Sequence, residues 1–213
     1  MKIDILTLFP KMFTGPFDES IIKRAIDDQK VEINIINFRD FATDKHHTVD
    51  DKPFGGGAGM LLKIEPIYNA LKHLDPKREA KRLLLSPQGK TFNQKIAQKL
   101  SKEKHIILIC GHYEGFDQRI INHLIDNQIS IGDYVLTGGE LPAMVILDSI
   151  IRLIPGVIEP ESLVHESHTT PNILEFPQYT RPANFKGWKV PKILLSGNHQ
   201  QIKAWEEKNK SQK

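Results

Sequence analysis

The chain has 213 residues, 39% of them hydrophobic and 26% charged, with a net charge of +3. That length fits one medium domain, or one domain with a small appendage, and the balance excludes a wholly disordered chain. The single cysteine, Cys110, excludes an intrachain disulfide and suits a reducing cytoplasm, the expected location.

MKIDILTLFP opens the chain with a lysine and an aspartate in a short apolar run, a poor signal peptide that Pro10 ends. Within it KIDILTLF (2–9) reads as a strand, being rich in β-branched and aromatic residues. SIIKRAIDDQK (20–30) has helical apolar spacing with Ser20 as a candidate cap, and VEINIINF (31–38) reads as a second strand. A long polar loop, RDFATDKHHTVDDKPFGGGAGM (39–60), follows; loops of this length tend to be functional or mobile. IEPIYNALKHL (64–74) is a helix that tolerates Pro66 in its first turn.

RLLLSPQG (82–89) reads as a buried strand running into a turn, and FNQKIAQKLSKE (92–103) as an amphipathic helix. HIILICG (105–111) is apolar throughout, as strands of a parallel sheet covered on both faces are. FDQRIINHLID (116–126) reads as a helix capped by Asp117, ISIGDYVL (129–136) as a last short strand. Residues 140–154 form a nearly all-round apolar helix, central in the core or buried against a second subunit. Its stretch LPAMVILDSIIRLIP carries Asp148 and Arg152 and is too short to span a bilayer. The alternation predicts an α/β fold around a mostly parallel sheet.

From Pro155 to Pro177 the pattern lapses into a proline-rich segment that reads as a flexible or lid-like linker. SGNHQQIKAWEEKNK (196–210) reads as one capped helix. From Lys186 onward seven lysines face Glu206 and Glu207, placing +5 on the last 28 residues. A solvated surface and a polyanion contact both fit such a tail.

Three strand ends are followed by small or turn-forming residues: SPQG (86–89), CGHYEG (110–115) and IGDYVLTGGE (131–140). Open α/β sheets bind ligands outside the carboxyl ends of their strands, so three such loops suggest a ligand held largely by backbone groups. Each alone is an ordinary turn. Neither a dinucleotide G-x-G-x-x-G after the first strand nor a P-loop is present. His46, His47, His165 and His168 fall in two distant segments with no cysteine beside them, so no dedicated metal site is expected. Asp148 and Arg152 stand four apart, the spacing of a helical ion pair, while an arginine there also has the reach to face a ligand. Cys110 reads as a small core residue rather than a nucleophile.

TVDDKPFGGGAGM, LSPQGK, ICGHYEGFDQR, SIGDYVLTGGELPAM, RLIPGV, FPQYTRP and VPKILLSGNH occur in this order, and together they resemble the bacterial tRNA (guanine-N1)-methyltransferase family, TrmD. The resemblance runs from Met1 to about residue 205. It implies a SPOUT-type α/β sheet with a deep trefoil knot, which periodicity does not reveal. It further implies a knotted domain over 1–158, a flexible linker over 159–176, and a short, basic, helical domain over 177–213 that binds tRNA.

By the same resemblance S-adenosylmethionine is held by Ser86, Pro87 and Gly89 of the first loop and by Gly111, Tyr113 and Glu114 of the second. Ile131, Gly132, Asp133, Tyr134, Val135, Leu136, Gly138 and Gly139 of the third hold it too, with Pro142. The implied reaction is methyl transfer to N1 of the guanine at tRNA position 37, with Arg152 on O6. Where the family has an aspartate general base this chain has Glu166-Ser167-His168, so Glu166 is the candidate and Glu161 the fallback. Asp50, Gly55, Gly57 and Gly59 are implied to hold RNA, and a homodimer to share its active sites. Members of the family are reported to need magnesium, for which no protein-only site is evident. After residue 210 the family continues with further helices and this chain does not. A SPOUT enzyme with another RNA target, and an RNA-binding protein without catalysis, are the competing readings.

Overall fold

The computed structural model describes residues 1–164 and 166–212. The chain folds as two compact units, one running from Met1 to Ile158 and the other beginning at Glu159. The first alternates strands and helices: β1 (Lys2–Thr7), α1 (Ser20–Asp27), β2 (Glu32–Asn37), a ribbon of β3 (Asp50–Asp51) and β4 (Leu61–Leu62), and α2 (Ile64–Leu74). Then come β5 (Lys81–Thr91), α3 (Gln94–Leu100), β6 (His105–Ile109), α4 (Gln118–His123), β7 (Asn127–Ser130) and α5 (Glu140–Ile151). Five strands form one sheet in the order β2-β1-β6-β5-β7, every pairing parallel. The α/β reading holds.

The apolar strands are apolar because both faces of the sheet are covered. Side chains alternate between two cores. Ile3, Ile5, Leu83, Leu85, Ile106 and Leu108 pack with α1, α3 and α5 on one face. Leu6, Leu84, Ile107 and Ile109 pack with α2 and α4 on the other. β5 leads through α3 to β6 on one side, and β6 leads through α4 to β7 on β5's opposite side. Connections leaving in opposite directions open a crevice at the carboxyl ends, the usual place for a ligand.

Several boundaries differ from the sequence reading. The last strand is Asn127–Ser130, not 129–136, and residues 131–139 form no strand. Ser130 Oγ donates to the Gly132 carbonyl at 2.8 Å and accepts from the Gly132 N–H at 3.2 Å. This local bonding competes with a ladder at the sheet edge and ends it. Ser20 does not cap α1: Glu19 holds that position without a side-chain hydrogen bond, and Ser20 is the first helical residue, with φ of 57°. Asp117 does cap α4, accepting from the Arg119 N–H at 2.9 Å.

The second unit contains α6 (Pro160–Val164), β8 (Ile173–Leu174), a hairpin of β9 (Asn184–Phe185) and β10 (Trp188–Lys189), α7 (His199–Lys208) and β11 (Ser211–Gln212), which pairs with β8. It is therefore mixed rather than helical. Strands of two residues each carry too little periodic signal to be read as ribbons. None of its strands or helices buries a residue fully. Among the described residues no helix is long and apolar enough to cross a membrane.

At the amino-terminal end of β5, Arg82 is buried against Asp75, its NH2 2.8 Å and its Nε 3.0 Å from Oδ2. Burial alone would raise the Asp75 pKa. The Glu79 N–H, the Arg82 guanidinium and the Ala80 N–H outweigh it and hold the carboxyl below its ordinary value. A depressed folded-state pKa gives stability that is complete above the unfolded carboxyl pKa of about 3.9 and is lost as pH falls through the folded value. Asp75→Ala, which strands a buried guanidinium, is expected to lower the unfolding free energy by about 3–5 kcal/mol in urea titrations at pH 7. The acid-induced loss of stability should be smaller in the variant than in the parent.

Candidate active site

β5 supplies the first wall. β5 runs on to Thr91, past the strand-to-turn expected over 82–89; Leu85 and Lys90 both pair with Ile129 of β7, so residues 86–89 bulge out of the ladder within the strand. The second wall follows β6. Cys110 N donates to the Leu6 carbonyl at 2.9 Å, keeping the chain on the sheet before residues 111–115 turn away. The third is the irregular segment 131–139 that launches α5, anchored where Gly139 N donates to the Gly111 carbonyl at 2.9 Å. A Cβ at Gly139 would lie 2.7 Å from Cys110 Cα and 2.8 Å from Gly111 N, a backbone-to-backbone approach no larger residue permits.

The three loops surround a cleft of about 290 Å3. It is walled by Ser86 and Pro87 of the first, Gly111, Tyr113 and Glu114 of the second, and Ile131, Gly132, Tyr134, Val135, Leu136, Gly138 and Gly139 of the third, with Pro142. Gly89 and Asp133 are not on its wall. Gly89 instead faces β7, where a Cβ would fall 2.4 Å from Ile129 N. Gln88, His112 and Thr137, which the three loops contain but the sequence does not single out, share the wall, as do Phe116 and Gln118 beyond the second loop. Gln88 and His112 sit inside the quoted loops, but nothing in a single sequence says which way a loop side chain faces.

Behind the cleft lies a buried polar junction. Glu140, the first residue of α5, is fully inaccessible to solvent. Thr7 Oγ1, at the end of β1, donates to Glu140 Oε1 at 2.5 Å and accepts from the Phe9 N–H at 2.9 Å. His112 Nε2 hydrogen-bonds Oε2 at 2.7 Å, and its ring packs against Phe9 with centroids 4.6 Å apart. One carboxyl group thus ties the ends of β1 and β6 to the start of α5. Cys110 is fully buried, and that burial, with Glu140 nearby, pushes its thiol well above the ordinary value, which makes it a core residue.

The glycine-rich segment 55–59 meets the cleft at one point. Glu114 N donates to the Met60 carbonyl at 3.0 Å and Leu62 N to the Gly115 carbonyl at 2.8 Å. A Cβ at Gly59, whose φ is +80°, would lie 2.3 Å from Glu114 Cγ. Asp50 sits half-buried in β3, while Gly55 and Gly57 stand exposed with nothing closer than Pro53 Cγ at 3.7 Å from the Gly57 position. Arg152 caps the end of α5, half-buried; Glu166, half-buried, and Glu161, exposed, belong to the second unit. Among the described residues no group of three or more His, Cys, Asp or Glu side chains is placed to hold a metal; His165 lies outside them.

Parallel strands, a switch in strand order and a backbone-walled cleft define an α/β ligand-binding protein of the strand-end class. Comparison with known proteins narrows the class. The family described as tRNA (Guanine-1)-methyltransferase TrmD matches residues 1–213, and the chain belongs to it. The tRNA (guanine-N(1)-)-methyltransferase of Staphylococcus carnosus (strain TM300) is 56% identical over 210 residues, covering 99% of this chain and 86% of that protein. That of Dehalococcoides mccartyi (strain CBDB1) is 58% identical over 212 residues, covering 98% and 85%.

Glu140→Ala removes the acceptor from Thr7 and from His112 at once and is expected to cost about 2–5 kcal/mol of stability. Glu140→Gln keeps the shape and one acceptor oxygen and should cost less than half as much. Urea denaturation of the three proteins at one pH measures both.

Proposed function

We propose that the chain transfers a methyl group from S-adenosylmethionine to N1 of the guanine at tRNA position 37, beside the anticodon. One observation carries the reading: three strand-end loops meet in a single cleft, in a chain matched end to end by the TrmD family. The wall suits the cofactor. Gly111, Gly132, Gly138 and Gly139 bring main chain without side chains to the wall, Ile131, Leu136 and Pro142 give apolar faces for an adenine, and Glu114 and Gln88 offer polar side chains. Bound there, S-adenosylmethionine supplies an electrophilic methyl group. In this reading the bulge of residues 86–89 against β7 belongs to the trefoil knot.

Guanine N1 carries a proton that has to leave for the N1–CH3 bond to form. Glu166 takes that proton as general base. As it leaves, negative charge gathers on O6, and Arg152 stabilises it with a fixed cation. The glycine-rich segment 55–59 and Asp50 hold the anticodon loop, whose unpaired bases are free to splay into a pocket. On the outside of α5, Leu141 and Val145 remain 51% and 48% exposed. An apolar helix face of this kind fits a second copy of the chain, and we assign it to a homodimer that shares its active sites. The described residues present no carboxylate cluster for magnesium, and no step is routed through it.

Purified protein is expected to methylate a tRNA with guanines at positions 36 and 37, and to leave one with adenine at 37 unmodified; mapping the methylated nucleotide on bulk tRNA decides this. Arg152→Ala should lower turnover about 10²–10³-fold with calorimetric S-adenosylmethionine affinity nearly unchanged. A large loss of that affinity would make the arginine structural. Glu166→Gln should lower turnover about 10²–10⁴-fold, and undiminished methyl incorporation would remove it as the base.

A further inference from the structure

Between Phe176 and Trp205 the sequence has four lysines and one arginine and no aspartate or glutamate. The hairpin of β9 and β10 lies within this acid-free stretch. Lys186 and Gly187 form its tip, both with positive φ (52° and 90°), as two-residue hairpin turns of the primed type require. Gly187 N donates to Asn184 Oδ1 at 3.0 Å, closing the turn, and Val190 N donates to the Ala183 carbonyl at 2.9 Å, closing the base.

Phe185 and Trp188 are direct cross-strand partners, so their rings share one face of the ribbon. Their centroids are 5.9 Å apart with the planes inclined by 55°. Lys186 Nζ sits 5.6 Å from the centre of the Phe185 ring. Neither aromatic serves a core: Phe185 is 50% exposed and Trp188 74%. A two-stranded ribbon is marginal by itself, and the cross-strand ring contact that supports it still leaves Trp188 largely open to solvent in the free protein.

We infer that this hairpin is a base-stacking finger: an unpaired tRNA nucleotide lies on the Trp188 ring while Lys186 and Lys189 neutralise the phosphates on either side. The chemistry selects the occupant. A planar aromatic accepts any base face, and flanking ammonium groups without a competing carboxylate suit a polyanion. A second copy of the same basic surface would meet it with like charge. Such stacking is tolerant of base identity, so the hairpin adds affinity rather than sequence choice. The inference rests on tRNA being the substrate, as proposed above.

The chain has two tryptophans, so Trp205→Phe protein reports Trp188 emission alone. Trp205 packs edge-on to Phe176 and tilted against Tyr179, an aromatic environment that a phenylalanine retains. Adding unmodified tRNA to this protein should quench Trp188 emission and shield it from acrylamide. In the otherwise unaltered chain Trp188→Ala should weaken tRNA binding by about ten-fold or more, Trp188→Phe much less, and S-adenosylmethionine affinity should not move in either. Lys189→Ala should flatten the salt dependence of tRNA binding. If filter binding shows tRNA bound while Trp188 emission is unmoved, the finger is overturned and the tRNA reading stands. If the protein binds no tRNA, both fall. Trp188 already shielded without RNA, in step with protein concentration, would make the hairpin a protein interface instead.

Discussion

A single buried carboxyl group organises the cleft. Glu140 is withdrawn from solvent at the start of α5, and burying such a group is tolerable only because each oxygen finds a partner. Those partners, Thr7 and His112, come from the ends of two neighbouring strands. The junction therefore pins three separate parts of the chain to one point, directly behind the loops that wall the cleft. Helix α5 starts where it does because its first turn is tied to the sheet.

The close backbone approach at Gly139 has the same origin. With α5 drawn in by Glu140, the Gly139 N–H just before the helix reaches the Gly111 carbonyl, and no Cβ fits between the two backbones. Gly111, Gly132, Gly138 and Gly139 then bring bare main chain to the walls of the cleft. Backbone amides and carbonyls placed by packed strands need no side-chain rotamers to be ordered before a ligand binds, which lowers the entropic cost of binding. The opposite end of β5 is held independently by the buried Arg82–Asp75 pair, so the strand that forms the first wall is anchored at both ends.

The second unit is built differently. Its ribbons and helices bury no side chain fully, and its charge is strongly one-signed between Phe176 and Trp205. A surface of that composition gains little from its own packing and much from a polyanionic partner. Exposed aromatic rings at Phe185 and Trp188 fit the same logic, since stacking on a base buries what the folded chain leaves open.

The α/β class, the buried strands β1 and β6, and helix α2 were legible in the residues alone, because a strand covered on both faces has to be apolar and a helix has to repeat every 3.6 residues. The three strand-end loops were legible as candidates for the same reason: small and turn-forming residues after an apolar run have few other uses. The end of β7 was not, because the Ser130–Gly132 hydrogen bonds that stop it leave the alternation of apolar residues intact. Nor were His112 and Glu140. A glutamate opening an apolar helix reads as a helix-dipole partner or a solvated charge, and only the arrival of Thr7, 133 positions away in sequence, makes it a buried anchor. Periodicity and composition are local properties and determine elements; strand order, the direction in which a loop side chain points and the partner of a buried polar group are settled by residues far apart in the chain, and only the folded structure brings those together.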